Sequence, residues 1–340
     1  MPKLRVISKL ANVSISTVSR VLANKGNVRQ DTKEKVLNAL GELSGKAGPE
    51  NVAGLSLTVG LLVPEAGEFI NDDPMTSIDI VSMRREIEAL GNRVVMFRYA
   101  EDSDSQNGAL PADVSKIDVA IVNDPSAQDR IIPILERRGT PFLVTNGRFF
   151  DRDCNYVDYD NYDGALQAVR HLVQLGHRQI GAITGPITRM VSINRLSAYR
   201  DAMNEAGISL DDSKVVQGAF SLNGGYSACQ KLMAGNPGVS AIFAFNDLSA
   251  IGAVRALKEA GLGVPADVSV VGFDDMELAR YSDPQLTTVS RFKFDISALL
   301  ARAADDLGRN KDIVHVRISL RTRLVIRQST RELSGSLSQS

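Results

Sequence analysis

The spacing of apolar residues changes character along the chain. Up to about residue 45 they recur every three or four positions, in three short runs. Ile7, Leu10 and Ala11 share a face over Arg5–Ala11, Val18, Val21 and Leu22 over Val13–Leu22, and Val36, Ala39, Leu40 and Leu43 over Asp31–Leu43. That spacing predicts three short amphipathic helices around one core. Asn12 and Val13 form the corner before the second helix, because asparagine tolerates left-handed backbone, and Ser14 supplies the N-cap oxygen. Opposite its apolar stripe the second helix carries Ile15, Ser16, Ser19 and Arg20. Small side chains beside one long guanidinium make a face that can approach another surface closely and read it. Three short helices with the reading face on the second predict a helix-turn-helix unit. A core this small is marginally stable alone.

From Ser44 to Leu57 the pattern lapses into S-G-K-A-G-P-E-N-V-A-G-L-S-L, whose glycines and proline mark a linker. From Thr58 onward, short apolar runs alternate with helical stretches. Strands are predicted at Val59–Val63, Val94–Phe97, Val119–Val122, Phe142–Thr145, Ile180–Thr184, Ala241–Phe245 and Val268–Phe273. Helices are predicted at Ser77–Leu90, Asp129–Arg138, Gly164–Leu175, Asn194–Ala206, Leu222–Leu232, Leu248–Ala260 and Asp295–Leu307. Strand followed by helix, repeated, is the signature of a doubly wound α/β fold with parallel sheets, and about ten strand signals suggest two of them. Ligands of such folds bind at the carboxyl ends of the strands, which points to a cleft between the sheets. The tail from Arg331 to Ser340 is polar, serine-rich and expected to be disordered.

Charge sharpens this division. Residues 1–46 carry nine Lys/Arg against three acids, a net of +6, and the remainder carries 30 against 37, a net of −7. A basic head on an acidic body is the electrostatic footprint of a nucleic-acid-binding module joined to something else. No run approaches the length of a membrane helix, and the N-terminus lacks the apolar stretch of a secretory signal. Cys154 and Cys229 stand far apart, which fits a reducing cytoplasm and argues against a zinc site. Phosphate-cradling, dinucleotide, nucleophile-elbow and zinc-protease motifs are missing, and His171, His177 and His315 are scattered. An enzyme, a cofactor and a metal are therefore not expected, and His177, in a helix-to-strand turn, is read as a structural cap.

The head segment A-N-V-S-I-S-T-V-S-R-V-L with N-V-R-Q-D-T-K-E-K-V resembles the start of the lactose/galactose-repressor family of transcription regulators. Asn12, Ala23 and Arg29 depart from that pattern. The resemblance continues through His171–Ile180, runs nearly verbatim from Phe243 to Asp275, and recurs at Pro284–Val289 and Leu324–Thr330. It implies an N-terminal all-α helix-turn-helix domain over 1–45 and a hinge linker over 46–57. It then implies a periplasmic-binding-protein-like α/β core of two doubly wound parallel-sheet lobes over 58–330, with the tail over 331–340. One lobe would take about 58–160 and 291–320, the other about 161–289 and 321–330. Crossings fall near Tyr159–Asn161, Ser290–Phe292 and Ser319–Arg321.

By the same resemblance, Ile15, Ser16 and Arg20 occupy base-reading positions, and Ser14, Thr17, Ser19 and Thr32 hold phosphates. Arg20 can donate two hydrogen bonds to a guanine. A hinge leucine that wedges into the minor groove would be Leu55, with Leu57 a rival because the hinge motif is poorly kept. In the cleft, Arg195 matches an arginine that grips ligand oxygens, Asn246 and Asp274 end strands, and Phe220 takes the place of a stacking aromatic. The first lobe departs from the family pattern, its loop after the first strand reading E-A-G-E-F-I-N-D-D-P-M over Glu65–Met75. From that loop Phe69, Asn71 and Asp72 are expected to line the cleft, with Asn123, Asp124 and Arg148 after later strands. An acidic loop facing Arg195 suits a polyhydroxylated neutral ligand. The sequence thus reads as a cytoplasmic homodimeric regulator, a repressor by family default, that binds a near-palindromic DNA operator under control of a small sugar. The alternative is a cytoplasmic sugar receptor without DNA contact. Whether ligand releases or strengthens DNA binding stays open.

Overall fold

A computed structural model describes residues 56–64, 74–99, 116–291, 296–310 and 315–333, together with Val13, Ser14, Thr17, Thr32 and Lys35. The chain divides into two compact units, Met1–Ser56 and Leu57–Ser340. In the first, Thr17 is helical, and the Ser14 hydroxyl accepts its backbone N–H at 3.1 Å, as an N-cap does.

The larger unit is built on two six-stranded sheets. The first contains β1 (Thr58–Pro64), β2 (Arg93–Tyr99), β3 (Val119–Asn123), β4 (Phe142–Thr145), β5 (Tyr156–Tyr159) and, from far along the chain, β11 (Arg317–Leu320). Its order is β11-β5-β4-β3-β1-β2 and every pairing is parallel. The second contains β6 (Ile180–Thr184), β7 (Val215–Gln217), β8 (Ala241–Ala244), β9 (Ser269–Asp274), β10 (Thr287–Ser290) and β12 (Arg323–Val325). Its order is β12-β10-β9-β8-β6-β7, parallel except for the antiparallel β10–β12 pair. Helices separate most strands: α1 (Pro74–Ala89), α2 (Ile131–Arg138), α3 (Asn161–Gln174), α4 (Met190–Glu205), α5 (Leu222–Gly235), α6 (Asp247–Glu259), α7 (Glu277–Tyr281) and α8 (Ile296–Arg309). Strands β3, β4, β6, β8 and β9 are buried throughout, which is why they read as unbroken apolar runs instead of alternating ones.

The chain passes between the sheets three times: after Tyr159 from β5 into α3, after Ser290 from β10 toward α8, and after Leu320 from β11 to β12. Each crossing is short, and hydrogen bonds tie the first and third together: Asp160 donates its N–H to the Leu320 carbonyl at 2.8 Å, and the Thr322 hydroxyl to the Asp160 carbonyl at 3.2 Å.

Five strands lie outside the predicted set: β5, β7, β10, β11 and β12. They are three or four residues long and each carries polar or charged residues (YVDY, VVQ, TTVS, RISL and RLV), so none shows the apolar run that betrays the equally short β4 and β8. The expected disorder of the tail needs correcting at its start. Arg331 donates its N–H to Ser269 at 3.1 Å and Leu333 donates to the Leu175 carbonyl at 2.8 Å. His177 helps hold that strap, with one ring nitrogen 2.9 Å from the Ser240 hydroxyl and the other 3.1 Å from Ser269 and 3.2 Å from the Arg331 carbonyl. Residues 334–340, and most of the expected hinge over 46–57, lie outside the described residues.

Candidate functional site

The carboxyl ends of the two sheets meet, and polar side chains from both lobes form a closed circuit there. Arg195, 3% exposed on α4, donates to Asn161 Oδ1 from Nε at 3.2 Å and from Nη2 at 2.8 Å, and to the Phe245 carbonyl from Nη1. Its guanidinium lies 3.7 Å from the Phe273 ring centroid, and Nη2 stands 3.8 Å from Asp274 Oδ1. The same Asp274 oxygen is 3.0 Å from Nε of Arg291, which is itself 7% exposed. Arg291 continues into the first lobe, donating to Asn146 Oδ1 at 3.3 Å and reaching Asp79 Oδ2 on α1 at 4.0 Å. Asn146 donates its backbone N–H to Asp158 at 3.1 Å, and Asp158 accepts from the Asn161 side chain at 3.2 Å, closing the ring.

Buried charge needs compensation from hydrogen bonds or countercharge, and this circuit supplies both. Burial pushes the Asp158 carboxyl up to about 6, although N–H groups of Gly147, Tyr159 and Asn146 and the Arg291 charge favour its ionised form. Nearby Asp247, fully buried at the start of α6, is held well above the ordinary carboxylate range by burial and by the Asp274 charge. Thr288 and the Met276 N–H donate to it.

Backbone geometry singles out the same region. Among the described residues the non-glycine positions with positive φ are Asp124 (53°), Asn146 (56°), Phe220 (50°), Asp274 (119°) and Asp275 (58°). All but Phe220 end or follow a strand at the sheet-to-sheet junction. Asp124, Asn146 and Asp275 sit in the left-handed well that short polar side chains tolerate, but Phe220 is strained there and Asp274, at 119°, lies outside it, and such strain concentrates at binding sites. The Phe220 ring lies against Gly185 so closely that no β-carbon fits there.

A second contact closes the lobes on each other. The loop after β3 pairs with the start of α4: Ala127 donates to the Thr188 carbonyl at 2.8 Å and Met190 to the Pro125 carbonyl at 3.0 Å. Arg189 donates to the Asp124 carbonyl at 3.0 Å and sits 3.7 Å from its carboxylate. Met190, from the second lobe, is buried in the first lobe's apolar cluster with Phe149, Val122 and Val144.

The structure thus brings together four expected ligand residues, Arg195, Asp274, Asn246 and Phe220. Asn246 is largely spoken for: its Oδ1 caps α6 by accepting from Ser249 at 2.9 Å, and its Nδ2 donates to the Phe220 carbonyl at 2.9 Å. Asp124 serves the lobe contact. Arg148 stands apart from the ring, 3.9 Å from Asp160 and stacked 4.8 Å from the Phe150 centroid. Phe69, Asn71 and Asp72 fall outside the described residues, as do Ile15, Ser16, Ser19, Arg20 and Leu55. Sequence reasoning missed Asp79, Asn146, Asp158, Asn161, Arg189 and Arg291. A single arginine in a crossing segment has no periodic signal, although its place beside a lobe crossing could have flagged Arg291. Asn123 Nδ2, fully buried at the end of β3, has no hydrogen-bond partner among the described residues.

Known proteins repeat both halves of this plan. Residues 3–44 match the profile of bacterial regulatory proteins of the lacI family, and residues 169–330 match a periplasmic binding protein-like domain. The transcriptional regulator CelR of Thermobifida fusca is 30% identical over 96% of this chain and 98% of its own. The chain belongs to the lacI family of bacterial regulatory proteins. The transcriptional repressor PurR of Klebsiella pneumoniae (strain 342) is 31% identical over 97% of both chains. Among solved structures, a CelR–cellobiose complex aligns with a TM-score of 0.72 at 29% identity, covering 96% of this chain and 99% of that one. A lac repressor dimer bound to operator and the anti-inducer ONPF aligns with a TM-score of 0.70 at 28% identity, covering 96% and 98%. The regulator therefore joins a DNA-binding helix-turn-helix domain to an effector-binding core, and its relatives are transcription regulators, not enzymes. No helix among the described residues is long and apolar enough to cross a membrane.

Proposed function

We propose that the protein is a cytoplasmic, homodimeric repressor whose operator affinity is set by a small neutral carbohydrate bound between the lobes. The observation that carries this reading is the Arg195–Asp274 pair at the sheet ends, backed by the Phe273 ring, with Phe220 packed against the apolar cluster that contains Phe273. A planar guanidinium donates to adjacent hydroxyls, a carboxylate accepts from them, and an aromatic face covers the apolar side of a sugar ring. The buried Asn123 amide adds a donor from the first lobe. That a similar regulator is known as a cellobiose complex supports a sugar as the ligand class.

At the DNA end, Arg20, Ile15 and Ser16 read bases, Ser14, Thr17, Ser19 and Thr32 contact phosphates, and Leu55 is the hinge wedge. One head reads few base pairs, so two copies on a near-palindromic site are needed. Ile78 and Val81 on α1 and Met96 on β2 are exposed apolar residues, 53%, 68% and 55% exposed, and suit a first-lobe dimer contact. A thermal-shift screen of neutral mono- and disaccharides on the full-length protein tests the ligand class. At least one sugar should raise the melting temperature in proportion to its logarithmic concentration. Stabilisation by purines or sugar phosphates alone would overturn the assignment.

A further inference from the structure

We propose that Arg291 is the positioning residue that carries occupancy of the cleft to helix α1. Its guanidinium sits in the segment between β10 and α8 and touches three elements: Asp274 at the end of β9, Asn146 after β4, and Asp79 on α1. Its cation also lies 5.1 Å from the ring of Tyr159, which ends β5 just before the first crossing. Arg195 and Arg291 share a single oxygen of Asp274, at 3.8 and 3.0 Å. A ligand hydroxyl that donates to Asp274 competes with both. Arg195 keeps its bonds to Asn161 and to the Phe245 carbonyl, so it stays in place. The other described groups that face Arg291, namely Asn146, Asp79, the Tyr159 ring and the Asp158 carboxylate, all belong to the first lobe. A buried guanidinium that loses part of its countercharge must recover it nearby, because uncompensated charge in a low-dielectric site is costly. Arg291 therefore draws toward the first-lobe carboxylates, Asp79 on α1 among them.

Asp79 is one residue from Ile78 and two from Val81, the exposed apolar positions of α1. Helix α1 also packs on α8, which begins five residues after Arg291, so the same arginine is tied to α1 through a second route. A change at Asp274 thereby reaches the surface proposed above to meet the second copy. This inference rests on the effector reading of the cleft and adds the path by which that site acts.

The test uses full-length protein and a palindromic duplex selected by the wild type from a random pool. Dissociation constants are measured for wild type, Arg291→Gln, Asp79→Asn and the double variant, with melting temperatures alongside. Each single variant should shift the duplex constant in the same direction by about five- to tenfold. The double variant should shift it no further than the larger single, since both cut one link. Arg291→Lys, which keeps the charge but loses the three-way fork, should shift it as well, and it serves where Arg291→Gln does not fold. Constants unchanged within about twofold, or effects that multiply in the double variant, overturn the relay. Failure of the wild type to select any duplex would instead remove the regulator reading on which the relay stands.

Discussion

Gly147 and Val191 belong to different lobes, yet their backbones touch: a β-carbon on Gly147 would stand 2.8 Å from the Val191 amide nitrogen. Gly147 also has a φ of 135°, which L-residues rarely adopt. Two independent constraints therefore require glycine at the point where the lobes close. Gly147→Ala should destabilise the protein by roughly 1–3 kcal/mol and enlarge the radius of gyration in solution scattering as the lobes part. Gly139→Ala is the control, because that left-handed glycine caps α2 with open space around it. It should lower the melting temperature without changing the scattering profile.

With Arg195 in the proposed ligand site, its loss should separate effector response from DNA binding. Its substitution by alanine removes the proposed donor to the ligand and leaves Asn161 and Asp274 short of a buried partner. The variant should still bind the selected duplex, but the sugar that stabilises the wild type should no longer change its melting temperature. A normal shift in Arg195→Ala would take the arginine out of the ligand site.

Asp158 makes part of the stability pH-dependent. Burial raises its carboxyl from 3.8 to about 6, so the folded state holds a proton that the unfolded chain releases. The corresponding stabilisation is complete below about pH 4 and is lost as pH rises through about 6, on the order of 3 kcal/mol in all. Asp158→Asn removes that proton uptake. The melting-temperature advantage of wild type over the variant should therefore widen as pH falls from about 7.5 to about 5. A gap that stays constant with pH would show that the buried carboxylate does not titrate in this range.

The fold class was legible because long buried strands such as β3 and β9 leave apolar runs, and α2 and α6 leave helical spacing with glycine-rich or capped ends. Edge strands such as β7 and β12 were not, being three residues long. In the site, Arg195 and Asp274 could be placed by motif, and the structure sets them 3.8 Å apart. Asn246 could not be resolved from sequence alone, since a strand-ending asparagine suits a ligand contact and a helix cap equally, and here its carbonyl caps α6. The circuit through Asp79, Asn146, Asp158, Asn161 and Arg291 spans more than 200 residues of sequence. Only the meeting of two sheets brings those residues together, and no local pattern encodes that.

Arg20 should separate specificity from general affinity. Arg20→Ala ought to lose about 1–3 kcal/mol of preference for the selected duplex over a scrambled one, while the fold and the sugar-induced thermal shift remain. Retained preference would move base reading to another residue of the head.

The central claim is that a cleft between two lobes governs a DNA-binding head. Its most direct measurement is the dissociation constant of full-length wild-type protein for its selected duplex, with and without a saturating amount of the sugar that most raises its melting temperature. The expected change is about tenfold or more. A sugar that stabilises the protein but leaves the duplex constant unchanged would contradict it, because a ligand shifts an equilibrium only by its differential affinity for the two states.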